Sequence, residues 1–267
     1  MNLPDKKQLS LPTLDKIELD HGVNFESHTY WGVRDPQRFK ELMQEAITLV
    51  TTTHFLGDNL FTWQRNNSML EDKPFRRAWE ENLLNPSDEA IVWRRYILAC
   101  AAYHCLHVPG DFVECGVYVG TGIKTVMDYL GGPEFPKTFW GYDTYDYNPV
   151  EGHAFAGQQE GLYDAVCERF KEYSQVRLVK GFLPQSFENN IPDQVAFLHI
   201  DLNNVEGEIA VLDTLFERVS PGGIVILDDY EWSGPYRPQK QQEDQWFDQR
   251  RYRIFPLPTG QGVVLKR

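Results

Sequence analysis

The sequence predicts an α/β protein built on a mostly parallel, Rossmann-like sheet, and three observations carry that prediction. After Gly110, short apolar runs alternate with helical stretches, which is the pattern of βαβ units. The first run, 111–115, passes directly into a glycine-rich turn that opens a helix. The last two runs, 252–257 and 262–266, are separated by a short turn and predict an antiparallel pair. We therefore expect a seven-stranded sheet that ends in a C-terminal hairpin.

The segment before this sheet predicts helices. Asp35 and Pro36 supply an N-cap and a first-turn proline for a helix with one apolar face. Residues 1–34 lack clear periodicity and predict an extended arm that is a candidate cover for a site. We divide the chain into a helical N-terminal extension, 1–84, and a second domain, 85–267. Further elements are expected as helices at 74–84, from Asn85 to before Pro109, and at 121–130, 159–173, 205–219 and 238–250, and as strands at 138–143, 176–180, 195–201 and 223–229.

Composition disfavours several kinds of partner. The 26 basic and 39 acidic side chains give a net charge of −13, which disfavours sequence-independent binding to nucleic acid or anionic lipid. No run reaches the roughly 18 apolar residues of a membrane span, and the start of the sequence lacks an apolar segment with a cleavage site, so we expect a cytoplasmic protein. The four cysteines have no paired or zinc-type spacing and predict buried free thiols. The pairs Arg94–Arg95 and Arg250–Arg251 are interpreted as solvated helix faces.

A glycine-rich turn beside a carboxylate is the most informative motif. Glycines tolerate positive φ and a close backbone approach to a ligand, and the helix start offers free N–H groups. The carboxylate of Glu114 would repel a pyrophosphate by about 1–4 kcal/mol, so the ligand is expected to carry positive charge, as S-adenosylmethionine does. The glycine spacing also differs from G-x-G-x-x-G, although a turn of purely steric origin is the alternative. The cofactor residues predicted here are Glu114, Cys115, Gly116, Val117, Gly120, Thr121 and Gly122.

Two further strand ends complete the predicted cofactor site, because ligands lie beyond the carboxyl ends of parallel strands. Asp143 ends the second strand and is expected to bind both ribose hydroxyls, with Thr144 beside it. The alternative for Asp143 is a turn-forming aspartate. At the end of the third strand, Gly181 would admit the adenine and Phe182 would cover it. Core packing explains Phe182 nearly as well.

Three carboxylates predict a metal site. Asp201 ends the fourth strand, where it also borders the cofactor, and Asp228 and Asp229 end the fifth. These strands are expected to be neighbours, so the three anions would meet at one edge and repel one another. A hard cation bound through oxygen ligands, Mg²⁺, would resolve the repulsion. The alternative is that Asp229 caps the next turn and only Asp228 faces the site.

The loop 144–160 is long, aromatic and rich in glycine, and it predicts a lid. His153 within it is a candidate to contact the substrate and to act as a base, the alternative being a solvated histidine. His199 lies inside an apolar strand and is interpreted as a hydrogen-bonded core histidine.

Four segments, 114–120, 198–201, 221–230 and 257–262, together resemble the macrocin O-methyltransferase family. The resemblance runs from about residue 85 to the C-terminus, and the block from Pro-Gly-Gly to Asp-Asp-Tyr is its most specific part. It implies a class I methyltransferase fold, S-adenosylmethionine dependence, Mg²⁺ on the three aspartates and a homodimer or dimer-based assembly. Family members commonly carry an aspartate, a candidate base, two places after the strand-four aspartate. This chain has Asn203 there, and an amide does not accept a proton at pH 7.

The hypothesis is a Mg²⁺-assisted O-methyltransferase acting on a hydroxyl of a small molecule, a sugar of a natural product or glycoside. Asp201, Asn203 and His153 would lie at its catalytic centre. A catechol-like phenol is the alternative acceptor, because it ionises more readily on a metal. An NAD(P)-dependent oxidoreductase is disfavoured by Glu114 and the glycine spacing. A catalytically silent S-adenosylmethionine-binding protein is the hypothesis from a different class.

Overall fold

The structure, a computed structural model, describes residues 22–145 and 160–267. Its strands are β1 (Phe25–Glu26), β2 (His54–Gly57), β3 (Leu60–Trp63), β4 (Asp111–Cys115), β5 (Phe139–Asp143), β6 (Val176–Lys180), β7 (Val195–Ile200), β8 (Val219–Leu227), β9 (Phe255–Pro256) and β10 (Gly262–Leu265). Its helices are α1 (Pro36–Ile47), α2 (Ser68–Glu71), α3 (Lys73–Glu80), α4 (Pro86–Ala90), α5 (Val92–Cys105), α6 (Thr121–Tyr129), α7 (Leu162–Arg169), α8 (Val205–Leu215) and α9 (Arg237–Gln249).

The central sheet has seven strands in the order β6-β5-β4-β7-β8-β10-β9. The first five are parallel, and β10 runs antiparallel to both β8 and β9. From β4 the chain winds outward through β5 to β6, then crosses to β7 on the other side of β4. The order therefore reverses between β4 and β7, and ligands of open parallel sheets lie at this reversal. The predicted mostly parallel sheet with a C-terminal hairpin is confirmed.

Adjacent residues of the inner strands point into two separate cores. Phe112 and Phe197 pack with the helices on one face of the sheet, whereas Val113 and Leu198 pack with α8 and α9 on the other. Every residue of β7 is buried. Strands covered on both faces require continuous apolar runs, which explains why the sequence shows no alternation there.

The N-terminal extension holds a small sheet of order β1-β2-β3. The sequence predicted only an arm and helices in this region, because strands of two to four residues are too short to show a period. Its core cluster joins Phe55 and Trp79 to Val92 and Ala99 of α5. The boundary at 84/85 stays a prediction, and hydrophobic packing crosses it.

Most predicted elements of the second domain agree with the structure to within a few residues. The helix expected from Asn85 is divided in two at Ile91, although Asn85 does cap it by accepting from Ser87 and Asp88 N–H groups. Strand β8 begins four residues earlier than expected, at Val219. The cysteines are free as predicted, but only Cys105 and Cys115 are buried, whereas Cys100 is exposed and Cys167 is half-buried. In the described ranges, no helix combines the length and apolar character needed to cross a membrane.

Candidate active site

The glycine-rich turn lies at the carboxyl end of β4 and is shaped by close packing. Gly116 has a φ of +94°, and a Cβ atom there would fall 1.8 Å from the carbonyl oxygen of Asp201. Gly120, at +80°, opens α6, and a Cβ atom there would lie 2.5 Å from the ring of Phe170. Neighbouring protein atoms leave no room for a side chain at either position, so both residues must be glycine. Part of the glycine pattern of this turn therefore has a steric origin, which was the alternative to a ligand site.

Asp143 organises the turn from the end of β5. Its Oδ2 accepts hydrogen bonds from the backbone N–H groups of Val117 at 2.8 Å and Tyr118 at 2.7 Å, and its Oδ1 accepts from Tyr145 N–H at 2.7 Å. Tyr118 is held at a φ of +49°, which is unusual for a residue with a side chain. The predicted ribose contact stays a prediction, and the turn-forming alternative is realised in these backbone bonds.

The end of β6 lies beside Asp143, as expected. Gly181 donates its N–H to the carbonyl of Asp143 at 3.0 Å. Phe182 is 53% exposed, which rules out the core-packing alternative for it. Gly181, Phe182 and Ser186 border an open cavity of about 590 Å³.

Three of the predicted cofactor residues have buried side chains. Cys115 is fully buried in the core on one face of the sheet, and Val117 in the core on the other. Thr121 is also buried, whereas Thr144 is partly exposed beside Asp143. For Cys115 and Val117, any cofactor contact is restricted to the backbone.

Glu114 is ion-paired within the protein. It is only 3% exposed, and its Oε2 lies 2.9 Å from His199 Nδ1, while His199 Nε2 lies 3.4 Å from Asp228 Oδ1. Although burial lowers the pKa of His199, its two carboxylate partners raise it to about 10, so His199 carries positive charge at neutral pH. The interpretation of His199 as a hydrogen-bonded core residue is confirmed. The argument that Glu114 presents an uncompensated charge to the ligand is wrong.

Arg94 was predicted to lie on a solvated helix face, and this prediction is wrong. It is 5% exposed, not solvated. Its Nε and Nη2 donate to the two oxygens of Asp58 at 2.8 and 3.1 Å, and its Nη1 donates to Asp228 Oδ2 at 2.7 Å and Asp229 Oδ1 at 2.9 Å. Burial lowers the pKa of Arg94, but the three carboxylates raise it well above its usual value. A sequence signal existed, because Arg94 precedes the buried Leu98 by one helical turn of α5.

Burial and neighbouring charges give the three aspartates, Asp201, Asp228 and Asp229, different pKa values. Burial raises the pKa of Asp228, but the Arg94 charge and the hydrogen bond from His199 hold it well below its usual range. Burial and the charge of Asp228 raise the pKa of Asp229 to about 6. Burial and both neighbouring aspartates raise the pKa of Asp201 well above its usual value. At neutral pH, Asp228 is thus the firmly ionised member of the three.

Asn203 contacts Asp201 through its side chain, and its predicted place at the catalytic centre stays a prediction. Its Nδ2 donates to Asp201 Oδ1 at 3.3 Å, and its φ of +54° turns the backbone to allow this. Its Oδ1 is buried and has no donor among the described residues. A free acceptor beside Asp201 suits a hydrogen bond from a bound hydroxyl.

The described arrangement does not fit Mg²⁺ on the three aspartates. Among the described residues, the ligand atoms that come within 4.8 Å of one another belong to His199, Asp201 and Asp228, a set that does not include Asp229. Asp228 Oδ2 and Asp229 Oδ1 already face Arg94, and Gln261 donates to Asp228 Oδ1 at 2.8 Å. A divalent ion about 4 Å from the guanidinium would meet roughly 8 kcal/mol of repulsion at an effective dielectric constant of about 20. The premise that these carboxylates lack a counter-charge is wrong, and the metal itself stays a prediction.

Two tryptophans border this cluster. Trp232 lies over the Arg94 guanidinium at 5.0 Å and meets Trp31 edge to face at 5.8 Å. Trp31 is fixed by two hydrogen bonds to Asn59, of 3.1 and 3.0 Å. The described end of the N-terminal arm therefore contacts the candidate site. Residues 146–159 of the predicted lid, with His153, lie outside the described residues.

The seven-stranded order with an antiparallel β10 inserted beside β8, together with the glycine turn at β4, defines a class I methyltransferase fold. Comparison with a solved structure agrees. The O-methyltransferase NovP superposes with a TM-score of 0.57 at 20% sequence identity, covering 74% of this chain and 89% of that protein.

Residues 99–245 match the macrocin O-methyltransferase (TylF) family, and the chain belongs to that family. It is 30% identical over 146 residues to demethyldecarbamoylnovobiocin O-methyltransferase of Streptomyces niveus, covering 48% of this chain and 56% of that protein. It is 28% identical over 142 residues to 8-demethyl-8-(2,3-dimethoxy-alpha-L-rhamnosyl)-tetracenomycin-C 4'-O-methyltransferase of Streptomyces olivaceus, covering 46% and 54%. The chain thus spans little more than half the length of these relatives.

Proposed function

We propose that this chain transfers the methyl group of S-adenosylmethionine to a hydroxyl of a small molecule. The observation that carries the proposal is the turn between β4 and α6, shaped by Asp143 at the point where the strand order reverses. A glycine-rich turn that opens a helix at this point forms the ligand site of open parallel sheets. Membership of an O-methyltransferase family supports the same function.

In the proposed reaction, the acceptor oxygen attacks the sulfonium methyl carbon. The carbon–sulfur bond breaks, S-adenosylhomocysteine leaves, and the hydroxyl proton passes to a base or to water. Asn203 would orient the acceptor through its unpaired Oδ1, because an amide cannot take the proton. Asp201 and His153 are the candidate bases, and Asp201 lies within hydrogen-bonding distance of Asn203. Holding the two reactants in line is the main contribution of such a site.

The acceptor we favour is a sugar hydroxyl of a natural product or glycoside. The named relatives from Streptomyces niveus and Streptomyces olivaceus act on natural products, and the latter is named for a rhamnosyl compound. The tryptophans beside the carboxylates, Trp31 and Trp232, offer the flat apolar surface on which a sugar ring or an aromatic acceptor packs. A catechol-like phenol is the alternative acceptor, and Asn203 is the observation that favours it, because a phenol needs a weaker base.

The family resemblance implies Mg²⁺ on Asp201, Asp228 and Asp229, and this ion stays a prediction that the proposed reaction does not use. No step is assigned to that ion, because Arg94 occupies the carboxylate oxygens that would hold it. The homodimer and the cytoplasmic location also remain predictions.

The test is an acceptor panel. Two samples of the protein are compared, one treated with chelator and one supplemented with Mg²⁺. Each is incubated with methyl-labelled S-adenosylmethionine and a set of glycosides with vicinal hydroxyls, catechols and catechol glycosides. Label on a sugar oxygen supports the favoured acceptor, and label on a phenol oxygen supports the alternative. Tight cofactor binding with no labelled acceptor, under either metal condition, contradicts the enzymatic proposal and favours the silent binding protein.

A further inference from the structure

The Arg94 guanidinium bridges Asp228 and Asp229 with a single nitrogen. Its Nη1 lies 2.7 Å from Asp228 Oδ2 and 2.9 Å from Asp229 Oδ1. One positive centre thus faces both carboxylates that end β8. A divalent ion shared by two neighbouring carboxylates would occupy the same position between them.

The rest of the guanidinium is fixed by the N-terminal extension. The two carboxylate oxygens of Asp58 accept hydrogen bonds from Nε and Nη2 of Arg94 at 2.8 and 3.1 Å, and the Asp58 side chain is fully buried. This fork-to-fork pairing fixes the plane of the guanidinium as well as its position. Asp58 lies in the turn between β2 and β3 with a φ of +51°, so the small sheet holds it in place.

Other side chains enclose the cluster on both sides. Trp232 covers the guanidinium at 5.0 Å, and Arg94 is 5% exposed, so water does not replace its partners. On the other side, His199 and Gln261 face Asp228 Oδ1 at 3.4 and 2.8 Å. Both oxygens of Asp228 are thereby used within the protein, and buried charges are stable only when paired in this way.

We propose that Arg94 is a built-in counter-cation that takes the place of a divalent metal at the end of β8. This inference rests on the proposed methyl transfer, in which Arg94 makes and breaks no bond and positions Asp228 and Asp229 beside the acceptor. Asp58 is its anchor, so the N-terminal extension becomes part of the active site. Methyl transfer by this chain is then independent of divalent cations.

The first test uses the wild-type chain alone. After chelator treatment, Mn²⁺ is titrated as a paramagnetic stand-in for Mg²⁺, and the melting temperature is recorded with and without millimolar Mg²⁺. The expected result is no stoichiometric Mn²⁺ binding and an unchanged melting temperature. Stoichiometric binding that Asp228→Asn removes would overturn the proposal, and this outcome does not depend on any Arg94 variant folding.

The second test asks whether removing the guanidinium restores a metal site. Arg94→Gln should bind Mn²⁺ and gain roughly 5 °C or more in melting temperature at saturating Mg²⁺, while Arg94→Lys, which keeps a positive charge, should not. Arg77→Gln is the matched control, because Arg77 is a helix arginine whose side chain is 80% exposed, and it should respond as the wild type does. Arg94→Gln that folds and shows no Mg²⁺ response would contradict the idea that Arg94 occupies a cation position.

Cofactor binding separates this inference from the proposed function. A chain that binds S-adenosylmethionine but transfers methyl only with Mg²⁺ present refutes the role of Arg94 and leaves the function standing. A chain that binds no S-adenosylmethionine refutes the function, while the Mn²⁺ titration still decides what Arg94 does.

Discussion

Gly116 and Asp201 lie so close that a Cβ atom on Gly116 would fall 1.8 Å from the carbonyl oxygen of Asp201. The contact joins the ends of β4 and β7, which pair along their length, and Asp201 N–H in turn donates to the carbonyl of Cys115 at 2.8 Å. The turn that shapes the candidate cofactor site and the aspartate of the candidate catalytic site are thus held as one unit.

Gly116→Ala should destabilise the fold by about 4 kcal/mol or more, because a backbone oxygen cannot rotate away from the added methyl group. Chemical denaturation followed by circular dichroism measures this. Gly161→Ala is the matched control, since Gly161 has a similar φ of +86° and no atom of the described residues lies within 4 Å of an added Cβ. It should cost only about 1 kcal/mol. Equal losses in the two variants would show that φ alone explains Gly116.

Glu208 and Glu243 form a buried carboxyl pair between α8 and α9. Glu208 Oε1 accepts from Leu202 N–H, whereas its Oε2 and both oxygens of Glu243 have no hydrogen-bond donor within the part of the chain that the structure describes. Burial first, and then the hydrogen bond to Glu243, raise the pKa of Glu208 well above its usual value. Burial also raises the pKa of Glu243. We infer that the two carboxyl groups share one proton, which leaves one oxygen of Glu243 without a donor among the described residues.

This pair should make stability fall as pH rises. Between the unfolded pKa of about 4.3 and the raised folded pKa, the folded state binds more protons, so the unfolding free energy decreases with pH. Glu208→Gln supplies a permanent N–H donor and should remove that part of the slope, giving the variant an advantage of about 1–3 kcal/mol at pH 8 and little at pH 4. Urea denaturation at several pH values measures it. Glu206→Gln, exposed on the same helix, is the control, and parallel pH profiles for Glu208→Gln and wild type would refute the shared proton.

The strands, helices and topology of the second domain could be predicted because their signals are local and repeated. The capping side chain of Asn85, for example, predicts the start of α4. The apolar run 195–200 predicts a strand that is buried on both faces of the sheet. Asp201 and Asp228 were correctly expected to meet, because parallel neighbouring strands end at one edge.

The charge pairing could not be predicted in the same way, because each pair joins distant parts of the chain. Arg94 meets Asp228 across 134 residues, and Glu114 meets His199 across 85. The sequence shows charges but not which opposite charge approaches them. The contact of Asp58 with Arg94 could not be predicted for a further reason. The turn that holds Asp58 belongs to a hairpin of two strands too short to show an alternating sequence pattern.

Asn203→Asp tests the role of the amide. The amide now donates to Asp201, and a carboxyl group in its place would lose that N–H donor and add negative charge to the cluster that already contains Asp228 and Asp229. The variant should therefore lose about 1 kcal/mol of stability at pH 8, and less at pH 5, where the added carboxyl is more often protonated. Thermal unfolding at the two pH values measures this. A manyfold gain in transfer to a sugar diol would identify the natural chain as a family member that lost its base, and loss of an existing activity would identify Asn203 as a specificity contact. No change in stability, binding or rate would place Asn203 outside the site.

The central claim is that the turn at β4 binds S-adenosylmethionine, and calorimetric titration of that cofactor tests it most directly. The wild-type chain should bind with micromolar affinity and more tightly than it binds NAD. Asp143→Ala should weaken binding by roughly 1.5–3 kcal/mol, because the variant loses the carboxylate that holds the turn and is expected to meet the ribose. Asp164→Ala, which removes an exposed aspartate on α7, should leave the affinity unchanged. Equal affinity in wild type and Asp143→Ala, or tighter binding of NAD than of S-adenosylmethionine, would contradict the claim.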